Sequence, residues 1–324
     1  MKAFITGACG QDGYYLAREL QEHGYSVYGL YHGQDESRLS RLQQELPGVE
    51  WVRGDVTDGS SMDAIIGRIQ PDVVFNMAAC SYVGQSWEMP RLHMTTNYGG
   101  LINVLEAVHR YAPEAHVVQA STSEMYGNTG GTLSETSPMV PASPYGVAKL
   151  AAHRLCKVYR DSYGMHVSSA ISFNHESPRR PPLFVTRKVT QAAVEIAYGL
   201  RKTLELGDIN SARDWGFAGD YARAYRLMAE ADIAEDYVVA TGETHTIRDL
   251  LQTAFDIADA GDWREKVVTT AANLRPNDVR HLCGDATKIR DRLGWFPHVT
   301  FTQLVQMMVA ADRGAIARKE PVRI

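Results

Sequence analysis

Tyr145 and Lys149 stand four residues apart in the run Ser143-Pro144-Tyr145-Gly146-Val147-Ala148-Lys149. Serine followed by proline is a strong helix start, and residues four apart on a helix share a face. The phenol and the ammonium are therefore expected to project into one site. A phenol of pKa about 10 is a poor base at neutral pH. A cation beside it favours the phenolate and suits it to interconverting an alcohol and a ketone. Upstream lies Thr122-Ser123-Glu124. Glu124 adds a second candidate base that simple alcohol oxidation does not need, which points to oxidation plus a further step. The Tyr-x-x-x-Lys spacing alone is common on exposed amphipathic helices. Its weight comes from the segments that must position it.

Short apolar, β-branched runs alternate with helical patterns along the chain. Strands are predicted over Lys2–Thr6, Ser26–Tyr31, Glu50–Arg53, Val73–Met77, His116–Ala120 and His166–Ser172. Helices are predicted over Tyr14–His23, Ser61–Ile69, Gly99–Tyr111 and Pro144–Tyr163. Near-continuous apolar strands separated by helices argue for a parallel sheet covered on both faces, a doubly wound α/β (Rossmann) architecture. In such sheets ligands sit at the carboxyl ends of the strands. Thr122–Glu124 falls just past the fifth strand and Asn174 just past the sixth. After about residue 172 the pattern changes. Pro178, Pro181 and Pro182 surround Arg179 and Arg180, and a helix over Thr186–Tyr198 and a short strand over Thr203–Leu206 follow. The reading is a dinucleotide-binding domain over 1–172 and a smaller, mainly substrate-binding α/β domain over 173–324. Segments near 217–242, Asp220–Ala229 and Tyr237–Thr241 among them, are able to return to the first.

Gly7-Ala8-Cys9-Gly10-Gln11-Asp12-Gly13 follows the first strand and opens the first helix. Glycines there allow a tight turn and let a pyrophosphate approach the backbone at a helix N-terminus. In this strand–turn–helix setting they mark a nicotinamide-dinucleotide loop, and a cationic nicotinamide would add to the pull on the Tyr145 phenol. Past the third strand, Asp55 and Val56 offer an adenine contact, although Asp55 is equally suited to cap the next helix. Ala78, in the small-residue run after the fourth strand, leaves room for a cofactor or for close helix packing. The second strand should say which dinucleotide is used, since an acid at its tip pairs with the NAD ribose and an arginine with the NADP phosphate. It ends Tyr31-His32-Gly33-Gln34-Asp35, with neither directly at the tip. Arg38 and Arg41 follow as phosphate ligands or as solvated helix residues. These residues leave NAD and NADP both open.

With these motifs assembled, the chain resembles the GDP-mannose 4,6-dehydratase family, a branch of the extended short-chain dehydrogenases. The resemblance runs nearly end to end through Gly10-Gln-Asp-Gly13, Gln119–Gly127, Ser143–Lys149, Phe173–Arg180, Phe184–Lys188, Arg213–Gly216, Ala240–Gly242 and Arg275-Pro276. It implies oxidation at sugar C4, loss of the acidified C5 proton, departure of water from C6 and return of the hydride to C6. Tyr145 would be the base toward the C4 hydroxyl, Lys149 its partner and a nicotinamide-ribose ligand, and Thr122 the group orienting the sugar oxygen. Glu124 would take the C5 proton, and the small hydroxyl of Ser123 matches the GDP-mannose branch. Asn174, Val185, Lys188, Arg213, Arg275 and Asp278 would meet the nucleotide sugar, because two phosphates call for cations and arginine suits them geometrically. Ser81 and Ser86, just past the fourth strand, are further substrate candidates. Arg179 and Arg180 stand as ligands of cofactor or substrate phosphates or as a subunit contact, and His175 reads as structural. Departures lie at the rim. The resemblance implies NADP, with NAD possible, although the loop after the second strand lacks the family's adjacent arginines; a lysine is replaced by Ala212, and Pro181-Pro182 follow the double arginine. They leave a GDP-heptose or another nucleotide sugar open as substrate.

The remaining chain bounds these readings. With 324 residues, 44% hydrophobic content and a net charge of −5, it suits one large or two smaller globular domains. Mixed charges give no basic nucleic-acid footprint. No apolar run approaches the roughly 20 residues of a membrane helix, and the N-terminus shows no signal-peptide pattern. Cys9, Cys80, Cys156 and Cys283 are scattered, as in a reduced, cytoplasmic protein. The histidines show no metal-ligand spacing, so no metal is expected. Apolar spacing in Gly99–Val108 and Leu150–Val158 would permit a homodimer, with a homotetramer open. Two rivals remain: a 4-keto-sugar reductase or epimerase, which would not need Glu124, and a catalytically silent cofactor-binding regulator, which would turn over no sugar.

Overall fold

Seven short strands, the inner ones buried along nearly their whole length, form one parallel sheet. They are β1 (Lys2–Thr6), β2 (Ser26–Tyr31), β3 (Val49–Arg53), β4 (Val73–Asn76), β5 (His116–Ala120), β6 (Val167–Ser172) and β7 (Asp236–Val239). The computed structural model describes residues 1–33, 36–270 and 277–318, with the side chains of Glu36 and Ser37 excepted. The sheet order is β3-β2-β1-β4-β5-β6-β7, and every neighbouring pair is parallel. This is the doubly wound order, in which the chain reverses direction between β1 and β4 and opens a ligand crevice there.

The six expected strands are all present, three of them displaced by one residue at one end. β4 stops at Asn76 rather than Met77 because the chain leaves the ladder there. The Ala78 N–H donates to the Thr6 hydroxyl (3.1 Å) instead of to a neighbouring strand. The first helix begins at Gln11, three residues before Tyr14, because Gly10 serves as its N-cap. Leu16 and Leu20 of this helix share one core with Tyr221, Tyr225 and Met228 of the helix Ala218–Ala229 on the same sheet face. The opposite face carries Gly59–Ile69, Gly100–Tyr111 and Pro144–Tyr163, which bury Met62, Ile66, Val104, Val108, Ala152 and Cys156.

The rest of the chain builds a second core from the helices Val185–Ala197, Ile247–Ala258 and Phe301–Ala317, with Val189, Ala193, Leu251, Phe255, Leu304 and Met308 inside. Within it the Arg187–Asp312 pair (2.5 Å) is almost wholly buried. Two small strands, Asn174–Glu176 and Trp215–Phe217, pair in parallel just past β6. The buried Asp214 carboxylate fixes the chain after β7, accepting the Thr241 N–H (2.8 Å), the Thr241 hydroxyl (2.7 Å) and the Gly242 N–H (2.9 Å). Among the described residues no helix is long and apolar enough to cross a membrane.

Candidate active site

Ser143 caps the helix Pro144–Tyr163 by accepting the Gly146 N–H (3.0 Å), with Pro144 in the first turn. This is the start that the Ser-Pro pair predicts. The helix then passes close under the turn Ser123–Met125. A β-carbon on Gly146 would lie 2.8 Å from the Glu124 carbonyl oxygen, so the approach that joins Tyr145 to Glu124 requires glycine. Thr122 caps the turn from the other side, accepting the Glu124 N–H (3.3 Å). Thr122, Ser123, Glu124, Tyr145 and Lys149 are all buried.

Burial raises the Tyr145 phenol, and the Glu124 carboxylate pushes the same way. The Thr122 hydroxyl and Arg180 pull it down but do not prevail. Burial also brings Lys149 down to about 8, against the pull of Asp12. The Lys149 ammonium donates to the Ala120 carbonyl (2.9 Å) and lies 6.0 Å from the centre of the Tyr145 ring. The polypeptide alone thus holds Tyr145 as a phenol.

The glycine loop has the form of a phosphate cradle. Gly7 is left-handed (φ 66°), and a β-carbon there would lie 2.7 Å from the Ala78 amide nitrogen. Only glycine fits both the conformation and the contact. The helix that follows, through Gln11, Asp12 and Gly13, has Gly10 as its N-cap and no side chain capping it. Its first N–H groups and positive dipole end are therefore available to an anion, and these residues fit a dinucleotide pyrophosphate. Asp55 lies past β3, where it accepts from the Thr57 N–H and hydroxyl (2.8 Å each) and contacts His32 Nε2 at 2.9 Å. It does not cap the next helix, since Asp58 does. Val56 is buried and Ala78 half-buried beside this crevice.

The segment after β6 works on two faces. Asn174 and Glu176 line a cavity of about 670 Å³ that also reaches Glu124, Val185, Lys188, Arg213 and Asp278. His175, between them, points the other way and pairs with Asp12 (3.1 Å) under the glycine loop. Burial opposes the charge on both. Each overrides it in the other, so Asp12 falls to about 2, with help from Arg180, and His175 rises. The same burial raises Glu176, opposed by Arg180 (3.0 Å) and the Thr186 hydroxyl. Arg180 also lies flat on Phe184. Arg213 points at Asp278 (3.5 Å).

The structure thus brings together Glu124, Asn174, Val185, Lys188, Arg213 and Asp278 on one cavity. Ser81 and Ser86 do not line it: Ser81 is exposed, and the fully buried Ser86 donates its hydroxyl to the Val83 carbonyl (2.7 Å). Arg275 lies outside the described residues, as do Gln34 and Asp35 after β2. Sequence reasoning missed Glu176 and Tyr82 on the cavity. The signal for Glu176 was its position two residues from Asn174, since alternate residues of a strand share a face.

The sequence model of the family described as GDP-mannose 4,6 dehydratase matches residues 4–308. GDP-mannose 4,6 dehydratase 1 of Arabidopsis thaliana is 41% identical over 99% of this chain and 91% of its own length. The GDP-mannose 4,6-dehydratase of Yersinia enterocolitica is 38% identical over 96% and 93%. Among solved structures, the UDP-glucose 4-epimerase of Thermus thermophilus, in complex with NAD, superposes with a TM-score of 0.85 at 29% identity, over 97% of this chain and 100% of that one. Together with the intact Thr122, Glu124, Tyr145 and Lys149, these likenesses establish that the chain belongs to the GDP-mannose 4,6-dehydratase family.

Proposed function

We propose that this nucleotide-sugar 4,6-dehydratase converts GDP-mannose to GDP-4-dehydro-6-deoxy-mannose with NADP. The observation that carries the reading is the Glu124 carboxylate, set on a sugar-sized cavity beside Tyr145. A reductase or epimerase would have no use for it. When bound, the nicotinamide ring supplies reversible hydride storage, so the cycle needs no outside oxidant, and its positive charge favours the Tyr145 phenolate. Tyr145 takes the proton of the C4 hydroxyl while Thr122 holds that oxygen and Lys149 holds the dinucleotide ribose. The resulting 4-ketone acidifies C5. Glu124 takes the C5 proton and returns it to the C6 hydroxyl, which leaves as water. The hydride taken from C4 ends at C6, C5 receives the proton that Tyr145 took from the C4 hydroxyl, and the net change is the loss of one water. Ser123 leaves space beside the sugar. Asn174, Lys188 and Arg213 hold the nucleotide diphosphate, with Arg275 as a further phosphate ligand, and Val185 and Asp278 bound it.

In this reading the dinucleotide unit comprises 1–172 together with 217–242, and the remainder of 173–324 is mainly the sugar-nucleotide unit. The place of β7 in the large sheet supports that division. A homodimer through Gly100–Tyr111 and Pro144–Tyr163 is supported by exposed Tyr111, Val147, Val158 and Tyr163 on those helices. A cytoplasmic setting is supported by the four cysteines standing as thiols rather than in disulfides.

The test is incubation of the purified protein with GDP-mannose and no added reductant, with the product read by mass spectrometry. The expected result is the mass of one water lost and no net change in reduced nicotinamide. Loss of water from a different nucleotide sugar only would move the substrate and implicate the rim at Ala212 and Pro181. Net consumption of reduced cofactor would replace the dehydratase reading with a reductase.

A further inference from the structure

The cavity that Glu124 reaches has a second carboxylate in its wall that the dehydration does not use. Glu176 is 1% exposed and lines the cavity together with Asn174, two residues earlier on the same strand. Both of its protein partners meet one oxygen. The Thr186 hydroxyl donates to Oε2, and Arg180 Nε lies 3.0 Å from that same atom. The other oxygen, Oε1, has no partner among the described residues. Asn174 repeats the pattern, since its Oδ1 is buried without a hydrogen-bond partner among the described residues. Two acceptor oxygens on one strand face thus stand without donors.

A buried acceptor left unpaired is costly, and native structures keep few of them. Here the donors of a ligand would answer both. Charge decides which part of the ligand that is. Phosphates are negative and bring no donors, so they belong with Lys188 and Arg213 on the same cavity. A sugar brings neutral hydroxyls, and a carboxylate accepts from a hydroxyl in a short, charge-assisted bond. The Glu176 carboxylate is also held in place, because the Arg180 beside Oε2 lies flat on the Phe184 ring at 3.5 Å. Its orientation is set before a ligand arrives, which lowers the cost of binding one.

We propose that Glu176 Oε1 accepts a hydrogen bond from a ring hydroxyl of the sugar, which makes Glu176 a specificity-determining residue beside the groups that carry the reaction. Dehydration turns the 4-hydroxyl into a ketone and expels the 6-hydroxyl. The hydroxyl that Glu176 reads is therefore one that persists through the reaction, at C2 or C3. This contact rests on the nucleotide-sugar reading above and adds the part of the sugar that the chain distinguishes.

The contact is tested by direct binding to the full chain in the Tyr145→Phe background, where the sugar is not turned over. The probes are GDP, GDP-mannose and its 2-deoxy and 3-deoxy analogues. Adding Glu176→Gln should weaken GDP-mannose at least about tenfold and leave GDP within about twofold. For one of the two deoxy analogues the same substitution should change nothing, because the partner hydroxyl is already gone. Glu176→Asp keeps a charge for Arg180 but withdraws the oxygen from the sugar, and it should show the same split between GDP-mannose and GDP. An equal loss for GDP and GDP-mannose would mean that Glu176 only anchors Arg180, and it overturns the assignment. Undiminished GDP-mannose binding overturns it too, as does the same loss with both deoxy analogues as with GDP-mannose. With Glu176 in place, deoxy analogues that both bind as tightly as GDP-mannose are equally decisive against it. The reaction itself is tested apart from this contact. Water lost from GDP-mannose by the unsubstituted chain, with no coupling at Glu176, would leave the dehydratase standing and remove the contact alone.

Discussion

At the scale of single residues, two carboxyl- and phenol-bearing side chains divide the proposed chemistry, and substitution separates them. Glu124→Gln keeps the shape of the cavity wall and removes the base. Nucleotide-sugar binding should change little, while dehydration falls by roughly the 10²–10⁴-fold that positioned acid–base groups supply. Reduced nicotinamide should still form transiently, because oxidation at C4 does not use Glu124. Undiminished dehydration would remove Glu124 from the mechanism. Tyr145→Phe acts one step earlier, so neither transient reduced nicotinamide nor product should form, and a normal transient in that variant would overturn the assignment. Tyr145, Lys149 and Glu124 were legible because helix spacing and sheet topology fix where they point. Glu176 was not legible. Its strand is three residues long and pairs with Trp215–Phe217, some forty residues on, so its spacing from Asn174 becomes a signal only once that short run is known to be a strand. Nor did the sequence separate Ser86 from a substrate contact, since its hydroxyl is turned inward by a local 3₁₀ turn.

The elements that meet beneath the cofactor loop are joined by a charge pair whose titration is measurable. His175 faces Asp12 with one nitrogen and contacts the Phe173 carbonyl (2.7 Å) with the other. Both partners accept, so the ring between them must carry two protons. Gln11 donates to the His175 carbonyl (3.0 Å), Arg180 lies close enough to oppose the charge, and Tyr221 stacks on the ring. The His175 pKa is raised, so the stability it gives is fully present below its unfolded value of about 6.5 and is lost as pH rises through the folded value. The Asp12 pKa is depressed to about 2, so its share is present above the unfolded value of about 3.9 and lost only as pH falls through the folded one. The pair therefore stabilises most between roughly pH 4 and 6.5. Thermal unfolding of wild type and His175→Gln across pH should show the largest difference in that window, shrinking on the alkaline side. A difference that stays flat from pH 5 to about 9 would mean that His175 is held by packing alone. Strands and long helices could be placed from sequence because their apolar periods are strong. This pairing joins residues 163 positions apart, Asp12 read as part of the dinucleotide loop and His175 as structural with no partner indicated.

For the molecule as a whole, the place of β7 and of the helix Ala218–Ala229 means that a cut after residue 172 does not free a folding unit. That helix covers Leu16, Ala17 and Leu20 of the first helix and buries Tyr221, Tyr225 and Met228. Trp295, from still further along the chain, closes the same core with its indole N–H donating to the Asp220 carbonyl (2.8 Å). At about 1.5–3 kcal/mol per fully buried large apolar side chain, the three residues of this helix alone represent roughly 5–9 kcal/mol. That is comparable to the entire stability of about 5–15 kcal/mol expected of a natural protein. The cut also strips β6 of its neighbour β7 and leaves it an exposed edge. A 1–172 fragment should therefore keep far-ultraviolet helical signal but lose near-ultraviolet signal, bind hydrophobic dye and unfold without a cooperative transition. A 1–242 fragment should recover part of the packing and still lack Trp295. Cooperative unfolding of 1–172 with an intact near-ultraviolet spectrum would show that the returning segments only decorate a core already complete. In the expected case the dinucleotide loop and the sugar cavity cannot be ordered separately. The chain passes from the sheet to the smaller core and back, and residues at these passages line the cavity, Asn174 after β6 and Arg213 beside the strand Trp215–Phe217, while Asp214 clamps the turn after β7.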